Sequence, residues 1–172
     1  VLENMPRQQE TAITEEILTV VGGELSWSDH VLTIRVPSIA QTEVVTQSRK
    51  NRISVLAIAP LLHRVGEAFV PVVIGDQIGP RPVNWHIDVL SRMGAVIEQT
   101  PDGYRATIPK GLQGVVLSLP YPSVGATESA ILAAVLAKGR TVIENAAMEP
   151  EIIELIKMLQ NMGGIIEIGV NR

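Results

Sequence analysis

Three tripeptides, Val21-Gly22-Gly23, Met93-Gly94-Ala95 and Met162-Gly163-Gly164, each close an amphipathic run and open a β-rich stretch. Glycine just past the last helical turn takes up the left-handed conformation at no side-chain cost, so each tripeptide marks a helix end. Each run is preceded by a proline that suits a helix start, at Pro6, Pro82 and Pro150. The stops lie 72 and 69 residues apart (94 − 22 and 163 − 94). A period of that length describes a supersecondary unit repeated along the chain, with each unit's apolar face covered by its neighbours.

The segments just past the stops alternate with period two. They are 24–27 with 31–34, 96–98 with 104–108, and 165–168. Ser28-Asp29 and Pro101-Asp102-Gly103 supply turn chemistry between the first two pairs, which therefore read as β-hairpins. A second helix type, apolar nearly all round, occupies 54–62 up to Gly66 and 123–136 up to Gly139. Helices of that kind belong in an interior. Each precedes a short strand, 68–73 or 140–144, and Leu2-Glu3-Asn4 echoes Ile143-Glu144-Asn145. The order buried helix, strand, amphipathic helix, hairpin occurs about twice in full, with a third copy lacking its beginning. The expected fold is an α/β domain of repeated helix-plus-sheet subdomains, buried helices inside and sheets outside. The pattern begins mid-repeat and stops before the last hairpin closes, as in a piece of a longer protein.

Composition narrows the chemistry. Of 172 residues, 46% are hydrophobic and only 3% aromatic, so the core is aliphatic and the surface is poorly equipped to stack a strand of nucleobases. A net charge of −4 gives no basic footprint, which argues against nucleic acid as a partner. With no cysteine there is no disulfide framework, thiolate nucleophile or Cys-ligated zinc, in keeping with a reducing cytoplasm. The apolar runs are interrupted well short of a bilayer span, so no membrane partner is expected.

The stretch from Gly75 to His86, Gly-Asp-Gln-Ile-Gly-Pro-Arg-Pro-Val-Asn-Trp-His, looks most like chemistry. Two glycines allow close approach of backbone to a ligand, and two prolines restrict the chain around Arg81. Asp76 and Arg81 are thus carried into a helix start, whose free N–H groups attract anions. The natural inference is an anionic substrate beside a proton-donating carboxyl, although the same spacing also makes an ordinary surface turn.

Arg52-Ile53-Ser54 before a buried helix, the Gly75–His86 loop, Ser123-Val124-Gly125-Ala126-Thr127 and Glu144-Asn145-Ala146-Ala147-Met148-Glu149-Pro150-Glu151 occur in the order and spacing of one family. The chain resembles the bacterial UDP-N-acetylglucosamine enolpyruvyl transferases over residues 1–172. It corresponds to less than half of such an enzyme, within the first domain, with an N-terminal segment and the second domain absent. The resemblance implies the inside-out α/β fold that these enzymes share with the shikimate 3-phosphate enolpyruvyl transferases. It also implies transfer of the enolpyruvyl group of phosphoenolpyruvate to the sugar 3-hydroxyl, with phosphate leaving; the alternatives are transfer to shikimate 3-phosphate, or a non-catalytic relative in which the fold serves as a binding module. No cofactor or metal is implied.

By the same resemblance Asp76 stands where most members carry cysteine and some aspartate. It would protonate the methylene carbon of phosphoenolpyruvate or assist phosphate departure. An ordinary carboxyl is ionised at pH 7, so this role requires burial or substrate charge to raise its proton affinity. Arg52 and Arg81 become donors to carboxylate or phosphate. Pro82, Val83, Asn84 and Trp85 follow the segment that holds the uridine, although Trp85 also fits simple packing. Ser123, Val124 and Gly125 match a helix start that binds the nucleotide diphosphate. His86 falls on the family histidine, and Glu149 suits the start of its helix. His30 and His63 read as surface residues. Tyr121 departs from the pattern, which expects a basic residue two positions before Ser123. The segment after Pro6 also departs, lacking the usual aspartates.

Overall fold

The computed structural model describes residues 1–46, 52–72 and 83–169. In chain order its elements are α1 (Gln9–Val20), β1 (Glu24–Ser28), β2 (Val31–Arg35), a 3-10 turn (Ile53–Ala57) running into α2 (Ile58–Val65), and β3 (Glu67–Pro71). Then come α3 (Asn84–Arg92), β4 (Val96–Gln99), β5 (Gly103–Thr107), β6 (Val116–Ser118), α4 (Val124–Ala134), β7 (Val142–Glu144) and α5 (Pro150–Asn161).

The three stops are built alike. Gly22, Gly94 and Gly163 have φ of +99°, +102° and +99°. At each, the glycine N–H bonds the carbonyl three residues back and the next N–H bonds the carbonyl five back: Thr19 and Leu18, Ser91 and Leu90, Gln160 and Leu159. This paired closure satisfies carbonyls that a helix end leaves open. The buried helices end on a second matching pair, Gly66 and Gly139, with φ of +81° and +93°. Asn4 and Asn145 also match, at φ +54° and +56°, and so bear out the echo between their tripeptides.

Both expected hairpins form. β1 and β2 pair from Glu24↔Arg35 to Ser28↔Val31, and β4 and β5 from Val96↔Thr107 to Gln99↔Tyr104. β3 joins the far side of β5, giving the antiparallel order β3-β5-β4. β7 lies parallel to β6, with α4 as the crossover between them. β6 has no counterpart in the sequence reading, because three residues are too few to display alternation. The 165–168 stretch is not a strand: no described strand lies beside it, and Ile165 is almost wholly exposed. The described sheets are small and open, with no closed barrel among them.

α4 runs through the middle of this arrangement, with Ala126, Ala130 and Ala133 fully buried. It packs on α2, α3, α5 and the 3-10 turn. Gly125, Ala126, Ser129, Ala130 and Ala133 give it a small-sided face on which neighbours can approach closely. The expected helix over 54–62 is split, since Pro60 has no N–H to donate and would crowd the carbonyl of Leu56 in a continuous α-helix. Starting α2 at Ile58 leaves Pro60 in its first turn, where no intrahelical donor is needed. His63, read from sequence as a surface residue, is half-buried and its Nε2 meets the Ala133 carbonyl at 2.9 Å, tying α2 to α4. His30 is exposed, as expected. No helix among the described residues is long and apolar enough to cross a membrane.

The stops differ in their surroundings, and that difference is testable. A Cβ at Gly163 would meet nothing within 4 Å, so Gly163→Ala should cost only the backbone strain of its φ, about 1–2 kcal/mol. A Cβ at Gly22 would lie 2.8 Å from the Ala40 Cβ and 3.0 Å from the Ala40 nitrogen. Gly22→Ala should therefore lose about 1 kcal/mol more, because backbone has to move. Urea unfolding of the two variants checks the ranking; equal losses would show that the 38–40 segment yields freely.

Candidate functional site

The site begins at the first turn of α4. Ser123 caps the helix: its backbone is extended and its Oγ accepts the Ala126 N–H at 3.3 Å. The Ser123 carbonyl accepts both the Thr127 N–H at 2.9 Å and the Thr127 hydroxyl at 2.8 Å. Thr127 Oγ1 in turn accepts the Ala147 N–H at 3.0 Å, and Asn145 Nδ2 donates to the Leu119 carbonyl at 2.9 Å. These bonds fasten the 145–149 loop to the helix start. A capped N-terminus still has first-turn N–H groups without intrahelical acceptors, here at Val124 and Gly125.

A cavity of about 420 Å³ opens at this helix start. It is lined by Arg52, Ile53 and Leu56, by His86 of α3, by Tyr121 to Gly125 with Glu128, and by Glu149. α3 and α4 meet here at unusually close range. A Cβ on Gly125 would stand 2.7 Å from His86 Cε1 and 2.9 Å from its Nε2. The imidazole cannot retreat, since it is only 6% exposed and its Nδ1 is 2.8 Å from the Ser129 hydroxyl. Burial, and then the charge of Arg52, lowers the His86 pKa to about 4, so the ring is neutral at pH 7. Glu128 is shifted upward, by burial first and then by Glu151. The cavity thus joins a guanidinium, a neutral imidazole, a half-buried carboxyl and a helix N-terminus. That set can hold an anionic ligand. A second depression of about 280 Å³, between residues 2–6, α1 and β2, has neither a cation nor an imidazole in its lining.

Of the residues singled out from sequence, Arg52, Ser123, Val124 and Gly125 line the cavity together. Val83 is buried in the core and leaves only its backbone for contact, whereas Asn84 is exposed. Neither is in the cavity lining. Trp85 stacks on Tyr121 and is not merely packed inside. Asp76, Arg81 and Pro82 lie outside the described residues. Glu149 occupies the N-cap position of α5 but makes no side-chain cap bond. Glu128 was missed, because a glutamate within an apolar helix carries no spacing signal. Among the described residues no three acidic or histidine side chains converge to hold a metal ion.

Gly125→Ala should cost roughly 1–3 kcal/mol by overpacking against the pinned ring. Introduced together with His86→Ala, the same change should cost far less, so melting of the four proteins should give a clear coupling. Additive losses would mean that the two helices shift apart at no expense. A second expectation concerns pH. His86 has a folded pKa of about 4 against an ordinary 6.5, so its stabilisation is fully present above pH 6.5 and lost as pH falls toward 4. The loss is about 3 kcal/mol. Unfolding of parent and His86→Gln across that window should therefore converge at the acid end; a constant difference would mean that His86 titrates normally.

Comparison with known proteins agrees with the motif reading. A family model described as EPSP synthase (3-phosphoshikimate 1-carboxyvinyltransferase) matches residues 1–172. Proteins named UDP-N-acetylglucosamine 1-carboxyvinyltransferase are similar in sequence. The one from Chlamydia abortus is 46% identical over 167 residues, covering 95% of this chain and 38% of the relative. The one from Protochlamydia amoebophila is 42% identical over 177 residues, covering 98% and 38%. The chain therefore spans well under half the length of these relatives. Among solved structures, the enolpyruvyl transferase NikO from Streptomyces tendae superposes with a TM-score of 0.81 at 21% identity, over 96% of this chain and 39% of its own. EPSP synthase from Acinetobacter baumannii gives 0.73 at 18%, over 96% and 38%. The fold is the one these enzymes share, and the chain belongs to the EPSP synthase (3-phosphoshikimate 1-carboxyvinyltransferase) family.

Proposed function

We propose that the chain forms most of the first domain of a UDP-N-acetylglucosamine enolpyruvyl transferase. The whole enzyme acts in the cytoplasm on phosphoenolpyruvate and UDP-N-acetylglucosamine. The sugar 3-hydroxyl adds to the central carbon of phosphoenolpyruvate while a proton is delivered to the methylene carbon. Phosphate and a proton then depart to leave the enolpyruvyl ether. This is the first committed step of peptidoglycan synthesis, and so serves cell-wall growth and division.

The observation that carries the reading is the convergence of Arg52 with the capped start of α4 around one cavity, in a chain 40–46% identical to relatives bearing that name. Both proposed substrates are anions, and a cavity lined by an arginine and a helix N-terminus is suited to phosphate and carboxylate. Arg52 holds phosphoenolpyruvate, with Arg81 as a second cation. Ser123, Val124 and Gly125 receive the diphosphate, and the 82–85 segment receives the uridine. Asp76 is the proton donor. A neutral His86 is suited to shaping the wall without competing for the substrate's negative charge. The acid–base partner belongs to the second domain, so the isolated chain binds without turning over. Shikimate 3-phosphate, the alternative acceptor, is less favoured by the names of these relatives.

Phosphate release by the complete enzyme should depend on both substrates. Arg52→Ala should weaken turnover at low phosphoenolpyruvate by about 10- to 100-fold, as expected for one charge-assisted hydrogen bond. Fosfomycin, an epoxide that alkylates a thiolate, should leave the parent's rate unchanged, since a carboxylate at Asp76 is a poor nucleophile toward it. Release without the sugar nucleotide, or an Arg52→Ala enzyme with ordinary kinetics, would overturn the assignment.

A further inference from the structure

The chain has five aromatic rings, two Trp, two Tyr and one Phe. Three have folding roles. Phe69 is buried in β3, and Tyr104 packs against the core from β5. Trp27 lies beneath the Arg7 guanidinium and bonds Glu15 through its indole N–H at 3.0 Å. The remaining two, Trp85 and Tyr121, meet at the rim of the cavity, with ring centroids 5.7 Å apart and planes inclined by 26°. Neither is buried: Trp85 is 40% exposed and Tyr121 59%. Tyr121 lines the cavity, and Trp85 stacks on it from the first turn of α3 without entering the lining.

We infer that Tyr121, backed by Trp85, is a stacking platform for the planar base of the nucleotide substrate, and so determines specificity at this rim. The inference rests on the proposed nucleotide site and deepens it. One face of a stacked ring is covered by its partner; at 59% exposure Tyr121 keeps area open for a third planar group. The ring is also held in place. The Tyr121 carbonyl accepts the Ser123 N–H at 2.7 Å, Pro122 restricts the backbone of residue 121, and α3 anchors the indole. A platform ordered in advance loses little entropy on binding. The cavity beside it, about 420 Å³, falls in the range of small-molecule sites, and its lining includes the α4 start proposed to receive the diphosphate.

The chemistry of this rim differs from the pattern that the motifs otherwise follow. A basic residue expected at position 121 would recognise a phosphate as a charge; a tyrosine cannot. Stacking recognises the flat ring instead and is little affected by salt. The exchange predicts affinity that follows the base more than the phosphate count.

The test uses Trp27→Phe, which leaves Trp85 as the sole tryptophan. Uridine and uridine diphosphate should quench its emission saturably, and inorganic pyrophosphate should not. By calorimetry, Tyr121→Leu should weaken uridine diphosphate about 10-fold or more while leaving pyrophosphate binding and the melting temperature unchanged. Tyr121→Phe should retain the affinity. If Trp27→Phe fails to fold, calorimetry on the parent and the two Tyr121 variants decides alone. Undiminished binding by Tyr121→Leu would overturn the platform and leave the nucleotide site standing. Tight, Tyr121-dependent binding of adenosine diphosphate with none of the uridine compounds would keep the platform and overturn the uridine assignment. Absence of binding by every nucleotide would overturn both.

Discussion

The contact between the edge of the His86 imidazole and the bare α-carbon of Gly125 decides how closely α3 can lie on α4. With no side chain at Gly125 the ring fits into the first turn of the helix, and Ser129, one turn further along, bonds its other side. Burial there makes the ring a poor base, which lets a neutral imidazole lie beside Arg52 without charge repulsion. Loosening this contact would move the first turn of α3, and with it Trp85, relative to the helix start that carries Ser123. The cavity is thus shaped by helix packing, and its geometry inherits its tolerance from the core.

Much of the architecture was legible because its signals are local. A glycine forced to φ near +100° three times, a proline at each helix start and an alternating stretch after each stop describe the repeat without any long-range information. The features that stayed hidden depend on partners. β6 exists because β7 lies beside it, 165–168 has the composition of a strand but no described neighbour, and His63 is drawn inward by a carbonyl 70 residues away. Pro60 was visible, yet its effect, a helix that begins as a 3-10 turn, depends on the close packing of that segment on α4.

The candidate site divides in the same way. Arg52 and Ser123 to Gly125 could be named from motif resemblance, and they do line one cavity. Val83 shows the limit of such transfer, since a residue in a ligand-associated segment can have its side chain wholly in the core. Glu128 and the pairing of Trp85 with Tyr121 needed coordinates, because residues 36 positions apart give no sequence sign that their rings stack. Tyr121 was visible as a departure from pattern; its meaning came only with its neighbour.

The cavity's walls come from residues 52–56, 86, 121–128 and 149, so nearly a hundred residues of chain must be in place before it exists. Contacts of such separation form late and are absent from partly folded states. A ligand that enters this cavity therefore binds the finished fold alone. By mass action it withdraws molecules from the unfolding equilibrium, tightening all three repeats together although it touches little more than the ends of a few helices.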